Sequence, residues 1–240
     1  MKKILTLALV LGLTTACNGQ WGKRIKGNGQ VITQERSVGE YSGVSLSGWF
    51  DVELVSGREG EITLRGESNL LEHIVTEVEN GNLVIKNEKG YNLSSSPRTG
   101  VQITVPVESI SQVNLSGSGD INSRISLSSD DFDIRVSGSG DVQLPLEAER
   151  VSVALSGSGD IGLSGTSWEL KVSVSGSGDV KAFGLTAETV KVNVAGSADV
   201  EVTATGLLEA RVSGSGDVEY RGNPKKVDAK SVGSGDISKG

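Results

Sequence analysis

Seven aspartates recur at nearly constant spacing along the second half of the chain, and their pattern suggests chemistry more than that of any other residues. Six of them close a Gly-Ser-Gly-Asp tetrapeptide and one closes Gly-Ser-Ala-Asp, at intervals of 18 to 21 residues. They are Asp120, Asp141, Asp160, Asp179, Asp199, Asp217 and Asp236. Carboxylate oxygens are the hard ligands that Ca²⁺ prefers. A row of them on successive turns of the backbone would form a ladder of calcium sites.

The same aspartates also have a purely structural interpretation. Asp and Ser side chains in turns accept hydrogen bonds from backbone N–H groups. Carboxylates about 5 Å apart repel each other in water by only about 0.8 kcal/mol, so the row needs no metal to be tolerated. We therefore favour the structural interpretation, expect no cofactor, and keep calcium as the alternative.

Two other features suggest binding of a ligand that is not a metal. Serines that accompany the aspartates would form a polar stripe suited to a glycan; examples are Ser116, Ser118, Ser156, Ser158, Ser175 and Ser177. Trp49 and Trp168 could be platforms on which sugars stack, or could pack under a loop or at the end of a coil. The ligand itself is not identified by these residues.

Several kinds of function are excluded or disfavoured by composition. His73 is the only histidine, so neither a histidine-based catalytic triad nor a typical zinc site is available, and we predict no catalytic residues. A formal net charge of −7 argues against a nucleic-acid partner, which needs a basic surface. The glycines lie between strand-like segments rather than before helices, which excludes a P-loop or a dinucleotide fingerprint.

The residues around each motif alternate between apolar and polar, which is typical of a strand with one buried face. Apolar residues stand two positions before the first glycine: Leu115, Val136, Leu155, Val174, Val194 and Val212. Those four positions before it are Val113, Ile134, Val153, Val172, Val192, Ala210 and Ala229. A repeat of about 19 residues with this pattern predicts an all-β, parallel β-solenoid in which each motif marks one coil. Both motif glycines should point inward at a corner, with the serines and the aspartate outward.

We divide the solenoid into an irregular N-terminal part, residues 30–110, and a regular part, residues 111–240. The segment Val44–Leu54 shows the repeat frame once, in degenerate form. Beyond it we predict a strand at 61–65, one helical turn at 68–74, a hairpin around Asn80-Gly81-Asn82, a polar loop at 89–100 and a strand at 101–105.

The last coil is weaker than the others. Ser231 occupies an inward position that holds Val or Leu elsewhere, and no polar cap is evident after Asp236. Solenoid ends need a cap or a partner, because an open strand edge invites pairing. Nearby lysines such as Lys226 and Lys230 could oppose such pairing. The alternative is that this end docks on another subunit, which would make the protein a homo-oligomer.

The first residues are typical of an export signal. Lys2 and Lys3 precede an apolar run, residues 4–13, that is too short to span a bilayer. We predict a signal peptide at 1–16, lipid attachment at Cys17 and a tether at 17–29. The expected location is the outer membrane or the cell surface, with the periplasmic face as a further option, and the expected membrane contact is the lipid anchor. A plain signal peptide with an incidental cysteine is the alternative.

The order of several motifs resembles the head GIN domain family of putative autotransporter adhesins. The motifs are Ser-Gly-Trp-Phe-Asp-Val-Glu-Leu, Asn-Leu-Leu-Glu-His-Ile, Gly-Asn-Leu-Val-Ile, Val-Gln-Ile-Thr-Val-Pro and Leu-Ser-Gly-Ser-Gly-Asp-Ile. The resemblance runs from about Val31 to Asp236. It implies a β-solenoid in a secreted or lipid-anchored protein of Bacteroidetes-type bacteria, and it brings no catalytic residues.

Three hypotheses for function follow. The first is a non-enzymatic, lipid-anchored envelope protein that acts as an adhesin or interaction scaffold, with a glycan or surface protein as partner. The second is a β-helix protein that binds or cleaves polysaccharide. Enzymes that cleave acidic polysaccharides need irregular grooves, whereas these aspartates form a regular row. The third is a structural module that assembles through its C-terminal end.

Overall fold

The computed structural model describes residues 22–240, which form nineteen strands and one short helix. In chain order these elements are β1 (Lys23–Lys26), β2 (Val31–Ser37), β3 (Gly43–Gly48), β4 (Asp51–Ser56), β5 (Glu61–Glu67), α1 (Ser68–Leu71), β6 (Ile74–Glu79), β7 (Asn82–Asn87), β8 (Tyr91–Ser94), β9 (Gln102–Val107), β10 (Gln112–Gly117), β11 (Ile121–Ser123), β12 (Leu127–Gly138), β13 (Val142–Leu155), β14 (Ile161–Gly176), β15 (Val180–Gly196), β16 (Val200–Gly214), β17 (Val218–Arg221), β18 (Lys226–Gly233) and β19 (Ile237–Lys239). The predicted signal peptide and Cys17 lie outside the described residues. Within the described range no helix has the length and apolar character to cross a membrane.

The regular part is the predicted parallel β-solenoid. Strands β10, β12, β13, β14, β15, β16 and β18 pair in parallel in that order, so each coil stacks on the one before it. Val153, for example, pairs with Val172, and Val172 with Val192. These inward positions are at most 3% exposed from Val113 to Ala210, because the alternation turns every second side chain into a narrow aliphatic core.

The corner of each coil is built as predicted, with one difference between its two glycines. In the coil of Asp160 the second glycine, Gly159, is buried, while the first, Gly157, is only half-buried. The first glycine has a positive φ of 155°, whereas the second does not. The backbone therefore bends at the first glycine, and the second glycine lies buried where the wall turns inward.

The N-terminal part stacks in an order that differs from its order along the chain. β3 pairs in parallel with β10 on one side and with β7 on the other. β4 does the same with β11 and β9. The coil of residues 43–56 therefore lies inside the stack. The chain leaves it to build an outer layer from β5 to β9 and then returns past it to begin the regular repeat.

This outer layer closes the N-terminal end of the core. β5 pairs antiparallel with β2 and β9, and β6 forms an antiparallel hairpin with β7, as predicted. The predicted helical turn is present as α1, with Leu70 and Leu71 buried. Arg36 on β2 donates hydrogen bonds to the carbonyl oxygens of Leu71 and Ile74, both at 2.6 Å. The reversal of strand direction therefore provides the cap that a solenoid end needs.

Two segments differ from their predicted form. Residues 23–26, within the expected tether, form β1, and residues 91–94, within the expected polar loop, form β8; the two strands pair in parallel. Each has one clearly inward apolar residue, Ile25 or Leu93, which is too little alternation to predict a strand.

Candidate functional site

The seven aspartates form one column, and each carboxylate from Asp120 to Asp217 accepts a hydrogen bond from the coil that follows. The Asp120 Oδ1 atom accepts a hydrogen bond from the backbone N–H of Asp141 at 3.0 Å. The same bond recurs at every step to Asp236, at 2.8 to 3.1 Å. One oxygen of each of these six carboxylates thus extends the backbone ladder across the corner, which is the role of a turn aspartate.

The second oxygen of the carboxylate is used differently along the column. Asp160 Oδ2 lies 2.6 Å from the Lys181 Nζ, and the hydrogen bond from this lysine lowers the pKa of Asp160. At the N-terminal end, burial raises the pKa of Asp51, and the nearby charge of Asp120 adds to the effect. Within residues 22–240 no group of three or more His, Cys, Asp or Glu side chains is placed to hold a metal ion. The calcium ladder of Asp120 to Asp236 stays a prediction.

Asp179 can be used to test the role of these hydrogen bonds, because its Oδ1 accepts one from the backbone N–H of Asp199 at 3.0 Å. We expect Asp179→Ala to lower the free energy of unfolding by about 1 kcal/mol, since that N–H loses its acceptor. Asp179→Asn keeps a carbonyl oxygen in place and should cost less than half as much. Urea unfolding measures both. Melting with and without a chelator, which would shift only if calcium were bound, completes the experiment.

The motif serines lie outward, as predicted, and those that precede the first glycine border a shallow groove. Ser156, Ser175 and Ser213 contribute to one wall of it, and the groove encloses about 720 Å³. Its floor is the outer edge of the aliphatic column, Leu155, Val174, Val194 and Val212. Arg211 and Lys230 lie at its C-terminal end. The groove exists because Ala154 and Ser173 are short where the same outward column holds Arg135 and Arg211 on either side.

The two tryptophans that could hold a sugar lie in different surroundings. Trp49 is half-buried, packs against the core, and contacts Phe50 with ring centroids 5.0 Å apart. Trp49 therefore has a packing role, in agreement with the structural alternative. Trp168 is 66% exposed. It stands where the ladder between β13 and β14 skips a residue, since Ser167 pairs with Ala148 and Glu169 with Arg150.

The surroundings of Trp168 form a second shallow depression, of about 660 Å³, on the outer wall of the solenoid. Glu147 and Glu149 contribute carboxylates, and Ser129 and Thr166 contribute hydroxyl groups. Ser167 is held in place because its hydroxyl donates to the Glu169 carbonyl oxygen at 2.8 Å. An exposed indole ring therefore lies beside hydrogen-bonding groups on rigid strands, and this combination is the candidate site. Sequence analysis proposed Trp168 but missed its neighbours, because only the register of the coils brings them together.

The single histidine has a structural environment. The His73 Nδ1 lies 2.6 Å from Glu88 Oε2, and its ring stacks on Tyr91 at 4.2 Å between centroids. The two contacts hold β8 and the segment before it against the residues that follow α1. His73 is therefore used in packing.

One functional group escaped sequence analysis altogether. Glu67, at the end of β5, is 1% exposed, and its carboxylate accepts four hydrogen bonds. No pattern in the sequence distinguishes it from the many surface glutamates.

Solved structures show the same fold. A putative adhesin from Bacteroides fragilis matches with a TM-score of 0.81 and 23% sequence identity, over 90% of this chain and 99% of that one. A putative lipid binding protein from Parabacteroides distasonis matches with a TM-score of 0.76 and 28% identity, over 91% of this chain and 100% of that one. A putative adhesin from Parabacteroides merdae matches with a TM-score of 0.71 and 19% identity, over 91% and 99% of the two chains.

No curated protein shows significant similarity to the chain. A family model does match it, over residues 40–224, which include the candidate site and most of the solenoid. The match covers well over half of the sequence and confirms the resemblance noted from the motifs. The protein therefore belongs to the family described as "Putative auto-transporter adhesin, head GIN domain".

Proposed function

We propose that this chain is an exported, lipid-anchored, non-enzymatic adhesin that binds a glycan at Trp168. The observation that carries the proposal is the exposed indole ring of Trp168 among carboxylate and hydroxyl groups on rigid strands. Membership of a family described as putative auto-transporter adhesins supports an adhesin role, and adhesins act outside the cell. The apolar run before Cys17 supports export and lipid attachment, and we propose the outer membrane or cell surface as its location.

A sugar ring suits this depression because it has an apolar face and a polar rim. The apolar face of the sugar stacks on the aromatic ring of Trp168, whose face is open to solvent and not covered by other protein groups. The hydroxyl groups of the sugar then donate to Glu147 or Glu149 and exchange hydrogen bonds with Thr166. Strands that stack in register hold these groups in fixed positions, which reduces the entropy lost on binding.

The charges around Trp168 indicate which glycans would bind. Asp130, Glu147 and Glu149 all border the depression, and none of the described residues that line it is basic. A nearby cation, Arg150, contacts Glu149 Oε2 at 3.4 Å but pairs mainly with Asp131. A uronic acid or a sulfated sugar would bring a like charge to this surface and be repelled. We therefore propose a neutral glycan as the ligand.

The side chains near the aspartate column support binding without catalysis. A polysaccharide-cleaving β-helix enzyme needs a lysine or arginine that can act as a base beside its carboxylates. Lys181 lies against the column, and its hydrogen bond to Asp160 raises the pKa of Lys181. A lysine held protonated in this way is a poor base at neutral pH.

Replacement of Trp168 by alanine tests the proposal. We expect Trp168→Ala to weaken binding to a neutral-glycan array by about 5- to 150-fold, if loss of the stacking ring costs roughly the 1–3 kcal/mol found when a base loses its aromatic platform. The change should leave the free energy of unfolding within about 0.5 kcal/mol, since the side chain is exposed. Trp168→Phe is the matched control and should retain part of the affinity.

Three results would contradict the proposal. The first is unchanged glycan binding by Trp168→Ala. The second is binding confined to acidic glycans. The third is no binding by the unmodified chain to any glycan on the array.

A further inference from the structure

The C-terminal end of the solenoid presents an exposed strand edge. β18 pairs with β16 on one side, and within residues 22–240 no ladder joins its other side to a strand. All eight of its residues are exposed, and Val227 and Val232 are 43% and 61% exposed. Such an edge is a template on which another strand can pair.

The pattern of backbone bonds shows which groups of β18 are free. The N–H of Ser156 donates to the carbonyl oxygen of Val136 in the preceding coil, and Val232 occupies the same position of the repeat as Ser156. In a parallel ladder a residue directs its N–H and C=O to one side, and the next residue directs them to the other. Val232 and Lys230 therefore bond back to β16, while Val227, Ala229 and Ser231 present their N–H and C=O groups at the free edge.

We infer that two copies of this chain dimerise through β18, with the strands antiparallel and Ala229 on the two-fold axis. In this register Ala229 faces Ala229 of the partner subunit, and Val227 faces Ser231 of the partner subunit. These are the residues whose backbone groups are free, so the pairing makes about six hydrogen bonds. The inward positions of the two strands lie on the same face, which continues the aliphatic core from one copy into the other.

Charge selects this register over its neighbours. On the outward face Asp228 lies opposite Lys230 of the partner subunit, and the two-fold axis repeats the pair. These positions do not exchange backbone hydrogen bonds, so their side chains are the closer kind of cross-strand pair, with Cα atoms about 4.5 Å apart. Centring the pairing on residue 228 instead would oppose two aspartates, and centring it on 230 would oppose two lysines. Like charges directly opposite destabilise a sheet.

The pairing also accounts for the other exposed groups at this end. Lys226 falls opposite Val232 of the partner subunit, where its aliphatic stem can cover the exposed valine. Arg211 already donates to Asp228 Oδ2 at 2.7 Å, so the aspartate is held toward the outward face where the partner's Lys230 would arrive. The groove that ends at Lys230 and Val232 would meet its copy across the axis.

A charge-reversal series tests the register. The full chain is studied with Cys17→Ser in every sample, so that neither an acyl chain nor a native thiol contributes. We expect a dimer by light scattering, and we expect Asp228→Lys or Lys230→Asp alone to raise the dissociation constant by at least about tenfold. The double variant Asp228→Lys with Lys230→Asp restores opposite charges and should restore the dimer. Failure of the double variant to recover, while both single variants weaken the dimer, would overturn the register.

A cross-link tests the axis independently of charge. Ala229→Cys places two thiols across the two-fold axis, where Cα atoms of a hydrogen-bonded pair are about 5.5 Å apart, within the range for a disulfide. Mild oxidation should convert most of this variant to a covalent dimer. Ala154→Cys, exposed on an interior coil, is the matched control and should stay largely uncross-linked. A monomer, or a filament formed by head-to-tail stacking, would refute the inference whatever Trp168 is found to bind.

Discussion

Gly196→Ala is expected to destabilise the protein by about 4 kcal/mol. Gly196 is the first glycine of its motif and has a φ of 149°. A Cβ atom placed on it would lie 2.2 Å from the carbonyl oxygen of Gly176 in the coil below. Both the backbone conformation and the contact oppose the change, and the oxygen belongs to backbone that cannot move without disturbing the neighbouring coil.

The chain contains its own control for this prediction two residues later. Ala198 occupies the place that glycine holds in the other motifs, and it is fully buried. The stack has therefore accommodated a methyl group at the second corner position, where φ is not positive. We expect Ala198→Gly to cost only about 0.5–1 kcal/mol, through the added freedom of the unfolded chain.

Urea unfolding of the two variants beside the unmodified chain separates the two corner positions. If Gly196→Ala proved no more destabilising than Ala198→Gly, the corner would be flexible and the first glycine would be replaceable. Because Gly196 lies in an interior coil, hydrogen exchange of β15 and β16 should also increase, as expected where stability depends on contacts between neighbouring repeats.

The sequence was sufficient to predict the repeating part of the molecule in detail. Strict alternation about each motif identified the buried columns, and the structure places Val113, Ile134 and their counterparts in the core. Each later coil has the same alternation around its motif, so a correct assignment of inward and outward residues for one coil holds for all of them. The general role of the aspartates could be predicted too, but the identity of the donor, the N–H of the next aspartate, depends on coil-to-coil register.

The N-terminal part could be predicted only element by element. The strands, helical turn and hairpin predicted from local patterns are each present, whereas β2 and β8 were not predicted. The insertion of β3 and β4 between β10 and the outer layer could not be foreseen, because the frame at Val44–Leu54 fits equally well at any level of the stack. Likewise the surroundings of Trp168 are set by a skipped residue in the ladder, which no alternation pattern marks.

Glu67→Gln is expected to destabilise the N-terminal part by about 2–4 kcal/mol at neutral pH. The Glu67 carboxylate accepts hydrogen bonds from the backbone N–H groups of Gly29 at 2.6 Å and Ser96 at 2.8 Å. It also accepts from the hydroxyl groups of Ser96 and Thr99, at 2.6 Å and 3.1 Å. A glutamine offers one oxygen and one NH₂ group, so at least one of these two backbone N–H groups must face another donor.

The same contacts determine how stability depends on pH. Burial alone would raise the pKa of Glu67, but the hydrogen bonds from Ser96, Gly29 and Thr99 outweigh it and hold the pKa below its usual value. A carboxyl whose pKa is lower in the folded state stabilises the fold at pH values above its unfolded pKa. That contribution is lost as the pH falls through the unfolded value, about 4.3, toward the folded one.

We therefore expect protection against hydrogen exchange to be lost only in the segments that meet at Glu67 and, in the unmodified chain, only at low pH. In the unmodified chain, exchange protection of the Gly29 and Ser96 amides should fall as the pH drops below about 4.5, after correction for intrinsic exchange. In Glu67→Gln it should be low throughout and nearly independent of pH. Glu72→Gln, at an exposed carboxylate just after α1, is the matched control and should behave like the unmodified chain. Equal protection in all three would mean that the segments meeting at Glu67 are held by packing, with Leu93 and Leu71, rather than by the buried charge.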